Sequence, residues 1–169
     1  TYTRNSNGWV TSITNARGYS RTYARSSRGE VTSLTLPDSS VEQWSYNGTG
    51  QTTAYTSPIG YVISYAFDDA GRMTTVDYPT GTDTTFAYDN ADRQTSMVDG
   101  SGTTSYTYNA ANLLTNLVQP QGTISYVYNA AGERTAMTDP SGTTTYAYDT
   151  YGRFSSLTNP LSEVTSVTY

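Results

Sequence analysis

The carboxylates are the side chains of this sequence best suited to acid–base work or cation binding. Asp68 and Asp69, with Asp89 and Asp92 one period on, offer oxygen ligands of the kind calcium takes. Calcium needs about six to eight oxygens, and no dense ligand pattern surrounds these aspartates. Asp77, Asp83 and Asp99 offer carboxylates for glycoside cleavage, but nothing in their spacing selects a pair. The chain has no His, no Cys and no Lys. The usual general base, the commonest metal ligand and the thiolate nucleophile are therefore all missing. A Gly-x-Ser-x-Gly elbow and a phosphate-cradling glycine loop with Lys are missing too. The residues point to a chain without catalysis, cofactor or metal. A net charge of -5 with Arg scattered along the chain argues against nucleic acid as a partner. No run of apolar residues is long enough to span a membrane.

The elements that hold these residues follow from a repeat. The second aromatic of a Tyr-x-Tyr pair recurs at Tyr46, Phe67, Tyr88, Tyr108, Tyr128, Tyr148 and Tyr169, with Arg4 and Arg25 keeping the register before them. The spacings are 21, 21, 21, 21, 20, 20, 20 and 21 residues, so about eight periods fill the chain. A fixed period of this length marks a repeat architecture. With the anchor as position 0, position +4 is Gly8, Gly29, Gly50, Gly71, Asp92, Asn112, Gly132 and Gly152. These residue types best tolerate positive φ, which predicts a turn there. Position +1 is Asn, Asp or Ser throughout, and its side-chain oxygen can accept from the turn's own amides. Pro at +12, with Ala16 and Gly100 as exceptions, and Gly or Ser at +14 predict a second turn.

Between the turns lie two segments of about six residues, rich in Thr, Tyr, Val and Ile, the composition and length of strands. In the first, Thr or Ser at +7 and an aliphatic or aromatic residue at +9 share a face; in the second, position -2 shares a face with the anchor. The predicted fold is all-β: tandem β-hairpin repeats in a continuous twisted or spiralling antiparallel sheet, with residues 1–169 as a single array. The anchors form an aromatic ladder, and the turn glycines Gly50, Gly71, Gly132 and Gly152 bound it. Since the sequence opens inside a repeat and closes on an anchor, we expect it to be a piece of a longer array.

Tyr88-Asp89-Asn90-Ala91-Asp92-Arg93, Phe67-Asp68-Asp69-Ala70-Gly71-Arg72 and Tyr148-Asp149-Thr150-Tyr151-Gly152-Arg153, each followed by a second turn and a restart on the next anchor, resemble the YD repeats of the Rhs family. Arg4 and Arg25 depart from the anchor aromatic, and Glu30, Gln51, Leu113 and Glu133 depart from the family's Arg at +5. The resemblance implies a spiral of stacked hairpins. It is shared with bacterial polymorphic toxins, insecticidal toxin complexes and teneurin-like surface proteins, where such repeats build shells, and with other proteins that are wall-associated or extracellular. Asp139-Pro140-Ser141-Gly142 has a superficial likeness to the family's self-cleavage boundary, but it occupies the regular +11 to +14 turn columns and the repeats continue beyond it.

The expected role is a structural segment of a large secreted or cell-surface protein, an extracellular fibre or shell wall whose partners are adjacent repeats and, by self-assembly, further copies. A toxin-enclosing shell and a carbohydrate-binding adhesion module are the alternatives. Trp9, Tyr19, Tyr61, Tyr78 and Tyr151 lie outside the ladder and are the candidates for glycan contact. Asn47-Gly48-Thr49 fits a glycosylation sequon, although the turn already explains Asn47 and Gly48.

Overall fold

A computed structural model describes residues 1–169, and its regular elements are all β-strands. The chain falls into two compact units, Thr1–Thr84 and Thr85–Tyr169. The first holds β1 (Tyr2–Arg4), β2 (Val10–Thr14), β3 (Ser20–Arg25), β4 (Val31–Thr35), β5 (Val41–Tyr46), β6 (Thr52–Thr56), β7 (Val62–Phe67) and β8 (Met73–Asp77). Each of these pairs antiparallel with the next. The second takes in β9 (Thr84–Tyr88) from its second residue, then β10 (Gln94–Asp99), β11 (Gly102–Tyr108), β12 (Leu114–Gln119) and β13 (Gly122–Tyr128). It continues through β14 (Arg134–Asp139), β15 (Gly142–Tyr148), β16 (Phe154–Thr158) and β17 (Val164–Ser166), again antiparallel from strand to strand. The expected all-β hairpin array is what the structure shows.

Alternation along the strands sets which face is covered. In β15, Thr143, Thr145 and Ala147 are exposed while Thr144, Tyr146 and Tyr148 are half-buried. Across the sheet the aromatic at -2 stands opposite the +9 residue of the next strand. The pairs are Tyr23 with Leu34, Trp44 with Tyr55, Tyr106 with Leu117, Tyr126 with Met137 and Tyr146 with Leu157. Cross-strand aromatic and aliphatic pairs are the unit of sheet stability, and each half-buried ring contributes on the order of 1–2 kcal/mol. A lone hairpin is marginal in water, so the repeats hold one another. The cover stays partial. Val76 in the first unit and Thr104 in the second are the buried residues, and no large side chain is fully enclosed.

One feature differs from the columns. They predicted two uninterrupted strands per repeat, but the first carries a bulge at +7. Tyr128 pairs with Arg134 and Val127 with Ala136, so Thr135 has no opposite residue. The same skip falls at Thr11, Thr32, Thr53, Thr74, Thr95, Thr115 and Ser155. A bulge sets two residues against one, so +6 opposite the anchor and +9 opposite -2 meet the same sheet face. Threonine suits the place, because its hydroxyl can bond across the interrupted ladder. Thr115 Oγ1 donates to the Thr107 carbonyl at 3.1 Å and Thr135 Oγ1 to that of Val127 at 3.3 Å.

Candidate functional site: the turn edge and the aromatic face

The first turn has one construction throughout. In the repeat after Tyr128, the Gly132 amide donates to the Asn129 carbonyl at 3.0 Å and the Asn129 amide to the Glu133 carbonyl at 3.0 Å. Asn129 Oδ1 accepts from the amides of Ala131 and Glu133, both at 3.0 Å. This is a type I turn closed by a residue in the left-handed region, a hairpin connection whose twist matches the strands. Gly50, Gly71, Gly132 and Gly152 occupy that place with φ of 88°, 81°, 83° and 75°, and Asp92 and Asn112 adopt it with φ of 62° and 63°.

Positions +1 and +5 form a matched pair. Where +1 is Asp, +5 is Arg. Arg72, Arg93 and Arg153 each place a terminal guanidinium nitrogen 2.7 Å from Oδ2 of Asp68, Asp89 and Asp149. Those side-chain bonds lead the lowering of the Asp68 and Asp89 pKa values; at Asp149 the backbone amide of Arg153 leads. Where +1 is Asn, an acid or amide answers it: Asn47 Nδ2 donates to Gln51 at 2.9 Å and Asn129 Nδ2 to Glu133 at 2.6 Å. Ser26 donates to Glu30 at 2.7 Å. The departures from Arg at +5 are therefore paired changes, except at Asn5 with Trp9 and Asn109 with Leu113, where packing takes over. The +5 side chain also reaches the next turn of its own unit. Gln51 Nε2 donates to the Gly71 carbonyl at 2.6 Å, Arg93 to Asn112 Oδ1 at 2.8 Å, and Leu113 and Glu133 lie against Gly132 and Gly152.

The anchor side chain ties each repeat to the one before. The hydroxyl of Tyr46 donates to the Val31 carbonyl at 2.7 Å, and those of Tyr108, Tyr128 and Tyr148 to Gln94, Leu114 and Arg134, each at 2.9 Å. Every acceptor is the +6 residue of the preceding repeat, beside the bulge. A half-buried phenol needs such a partner. Burial, then the charge of Glu30, raises the Tyr46 pKa and keeps its proton on the donor. Arg25 does the same work without a phenol: its Nε donates to the +6 carbonyl of Val10 at 3.1 Å, and its other end to Gly29 at 2.7 Å. Phe67 keeps the ring and lacks the hydroxyl. The Tyr169 ring lies 4.4 Å from the guanidinium carbon of Arg153, as the Tyr108 ring lies 4.8 Å from that of Arg93.

The glycan-contact candidates scatter. Tyr19, Tyr61, Tyr78 and Tyr151 are exposed. Trp9 is half-buried, its indole against Gly29 where a Cβ would meet it at 2.8 Å, so it serves as a +5 turn cover. Tyr19 and Tyr61 share position +15, with Ser40 at the same position between them. At four strands' distance, roughly 19 Å, they do not form one continuous stacking row. Among the carboxylates weighed for glycoside cleavage, Asp77 ends β8 and the other two serve turns: Asp83 accepts from the Tyr78 amide at 3.1 Å, and Asp99 from Ser101 Oγ at 2.5 Å. Asp139 accepts from the Ser141 amide and hydroxyl at 2.8 and 2.6 Å, which makes Asp139-Pro140-Ser141-Gly142 a two-residue hairpin loop like that at Asp99. The sequon Asn47 is engaged at both ends of its amide, by Gln51 and by the Thr49 amide.

On the aromatic face of the first unit, Trp44, Thr52, Tyr55, Tyr65, Phe67 and Met73 line an open hollow of about 420 Å³. The Trp44 and Tyr55 ring centroids are 5.6 Å apart at a tilt of 44°. Burial and then the Glu42 carboxylate against its hydroxyl raise the Tyr55 pKa. No column drew attention to this hollow; the signal was the short Thr52 at +6, where Arg134 stands in a later repeat.

The family model described as RHS Repeat matches residues 4–41, 46–83, 88–124 and 128–164. Comparison with curated proteins returns no match. Among solved structures, the Photorhabdus luminescens Tc holotoxin pore is similar over 94% of this chain, with a TM-score of 0.66 and 14% identity. The crystal structure of TcdB2-TccC3-TEV is similar over 94% with a TM-score of 0.68 and 14% identity. TcdB2-TccC3 without its hypervariable C-terminal region is similar over 93% with a TM-score of 0.67 and 14% identity. In each case the match spans 12% of the other chain, and identity at this level speaks to the fold alone.

Proposed function

The chain belongs to the RHS-repeat family, and from that premise we propose that it is a stretch of shell wall in a larger secreted assembly, with a structural and non-catalytic role. The observation that carries the proposal is the inter-repeat lock. Tyr46, Tyr108, Tyr128 and Tyr148, or Arg25 in their stead, bond the preceding repeat at one fixed backbone position, so that these hairpins are set in place by the ones before them. The partial burial supports it. A sheet with no fully enclosed large side chain has its second layer elsewhere, as a wall does. A match to 12% of toxin-complex chains fits a short stretch of such a wall within a longer array, and an assembly acting outside the cell that encloses a cargo.

Electron microscopy of the protein purified from its native source tests this reading. Closed hollow particles are expected. Long uniform filaments would overturn the shell in favour of an extracellular fibre. Particles that attach to glycan-coated surfaces through Tyr19, Tyr61, Tyr78 or Tyr151 would point to adhesion instead.

A further inference from the structure

The hollow on the aromatic face of the first unit has a counterpart in the second, and there it is filled. Arg134 stands six residues after its anchor Tyr128, and its guanidinium carbon lies 4.5 Å from the Tyr146 ring centroid and 5.8 Å from that of Tyr126. Thr52 is six residues after the anchor Tyr46, as Arg134 is after Tyr128, and Trp44 and Tyr65 stand two residues before the anchors Tyr46 and Phe67, as Tyr126 and Tyr146 do before Tyr128 and Tyr148. The strand register is the same: Tyr46 pairs with Thr52 as Tyr128 does with Arg134, and Trp44 with Tyr55 as Tyr126 does with Met137. Between Trp44 and Tyr65 the rings are kept and the cation is missing.

We propose that this hollow is a guanidinium-binding site, which takes the arginine side chain of a polypeptide partner between Trp44 and Tyr65. Three observations select the occupant. The chain itself seats an arginine between the corresponding rings of the later repeat. Trp is the strongest of the aromatic faces for a cation, and a planar guanidinium stacks where an ammonium only points. The rim is acidic: Glu42 lies two residues before Trp44 on the same strand face, against the Tyr55 hydroxyl, in a chain of net charge -5. A carboxylate that accepts one bond from a phenol keeps a second oxygen for a guanidinium N–H.

The test is an NMR titration of the whole chain with N-acetyl-L-arginine methylamide, following the indole N–H signals of its two Trp, Trp44 and Trp9. A saturable shift of the Trp44 signal is expected with Trp9 unmoved. The citrulline analogue, of the same shape and without charge, is expected to bind about fivefold more weakly, as is the arginine probe to Glu42→Gln. Thr52→Arg is expected to abolish binding by filling the hollow from within, as Arg134 does. Equal binding of citrulline, tighter binding of trimethyl-lysine, a shift caused by neutral sugars alone, or no shift at all would each overturn the assignment. Undiminished binding to a folded Thr52→Arg chain would move the site elsewhere and overturn it too. Should Thr52→Arg fail to fold, Glu42→Gln decides, since an unchanged affinity there removes the charge on which the assignment rests.

Discussion

At the second turn, the first unit and the opening repeats of the second are built differently. In the first, Ser57 and Tyr61 flank three loop residues: the Ser57 amide donates to the Tyr61 carbonyl at 2.8 Å and the Gly60 amide to Ser57 at 2.9 Å. In the second, Asp99, Gln119 and Asp139 pair directly with Gly102, Gly122 and Gly142 across two loop residues. This one-residue difference is the difference between periods of 21 and 20. It does not propagate, since Trp44 still faces Tyr55 as Tyr126 faces Met137. A one-residue slip inside a strand would turn every side chain to the other face, so a length change survives only where it is absorbed in a loop. The shorter turn brings a contact the longer one lacks. A Cβ on Gly122 would lie 2.6 Å from Pro140 of the next repeat, and Gly102 and Gly142 meet Pro120 and Pro160 alike, whereas Gly18 and Gly60 face open space.

The sharpest way to break the comparison is to add one methyl group to each kind of turn. Gly122 has a φ of 146° and a proline ring against its missing Cβ; Gly60 has a φ of 86° and no neighbour. Gly60→Ala should cost about 1 kcal/mol of backbone strain. Gly122→Ala adds overpacking against Pro140 and should cost about 3 kcal/mol. Amide hydrogen exchange resolved by strand is the measurement, because arrays open locally. Equal losses at β6–β7 and β12–β13 would show that the proline contact carries no stability.

A smaller effect is expected at the anchors, which the two units share. Tyr148→Phe removes the hydroxyl from the Arg134 carbonyl and should cost about 1 kcal/mol, read as faster exchange in β14 and β15. The natural converse lies in the first unit. Phe67→Tyr offers a hydroxyl to the preceding repeat and should slow exchange in β6 and β7 by a similar free energy. No change in either variant would reduce the lock to ring packing alone.

Much of this was legible in the columns, and what was not shares a cause. Gly132 and Asn129 announce a turn because φ and side-chain acceptors are local properties, and alternation in Thr143 to Tyr148 announces a half-covered strand for the same reason. The bulge at Thr135 was hidden because threonine is also an ordinary strand residue; only the pairing partner shows that it is skipped. The +1 and +5 pairing was readable in principle, since Asp68, Asp89 and Asp149 are the repeats that carry Arg72, Arg93 and Arg153. It is a correlation between two columns, which neither column shows alone. Trp9 was expected in the open because it lies off the ladder, yet the following repeat's Gly29 leaves room for its ring. That room belongs to a neighbour 20 residues away, which no local pattern reports.

The paired turn residues give a finer test. Asp149→Asn leaves Arg153 without its carboxylate and should loosen the turn slightly, since the Arg153 side chain is 48% exposed and solvent weakens the pair. Adding Arg153→Glu recreates the arrangement seen at Asn129 and Glu133, and exchange at the Tyr151 amide should return to its starting rate. A double variant no better than the single would mean that the two residue types vary independently.

Acid gives the last and smallest separation of the two turn types. Hydrogen bonds from the Ser101 and Ser141 hydroxyls, then from their amides, hold the Asp99 and Asp139 carboxyls below the usual carboxylate range. A carboxylate with a depressed folded pKa contributes its stability fully above the unfolded value of about 3.9 and loses it as pH falls through the folded value. The Ser57 turn of the first unit uses a hydroxyl where these use a carboxylate, Ser57 Oγ accepting from the Tyr61 amide at 3.0 Å. On going from pH 5 to below pH 3, protection of the Ser141 amide should therefore fall relative to that of Gly60, after correction for intrinsic exchange. A constant ratio would mean that the neutral carboxyl holds the two-residue turn as well as the charged one. The contrast between the turns would then rest on backbone geometry and the proline contact alone.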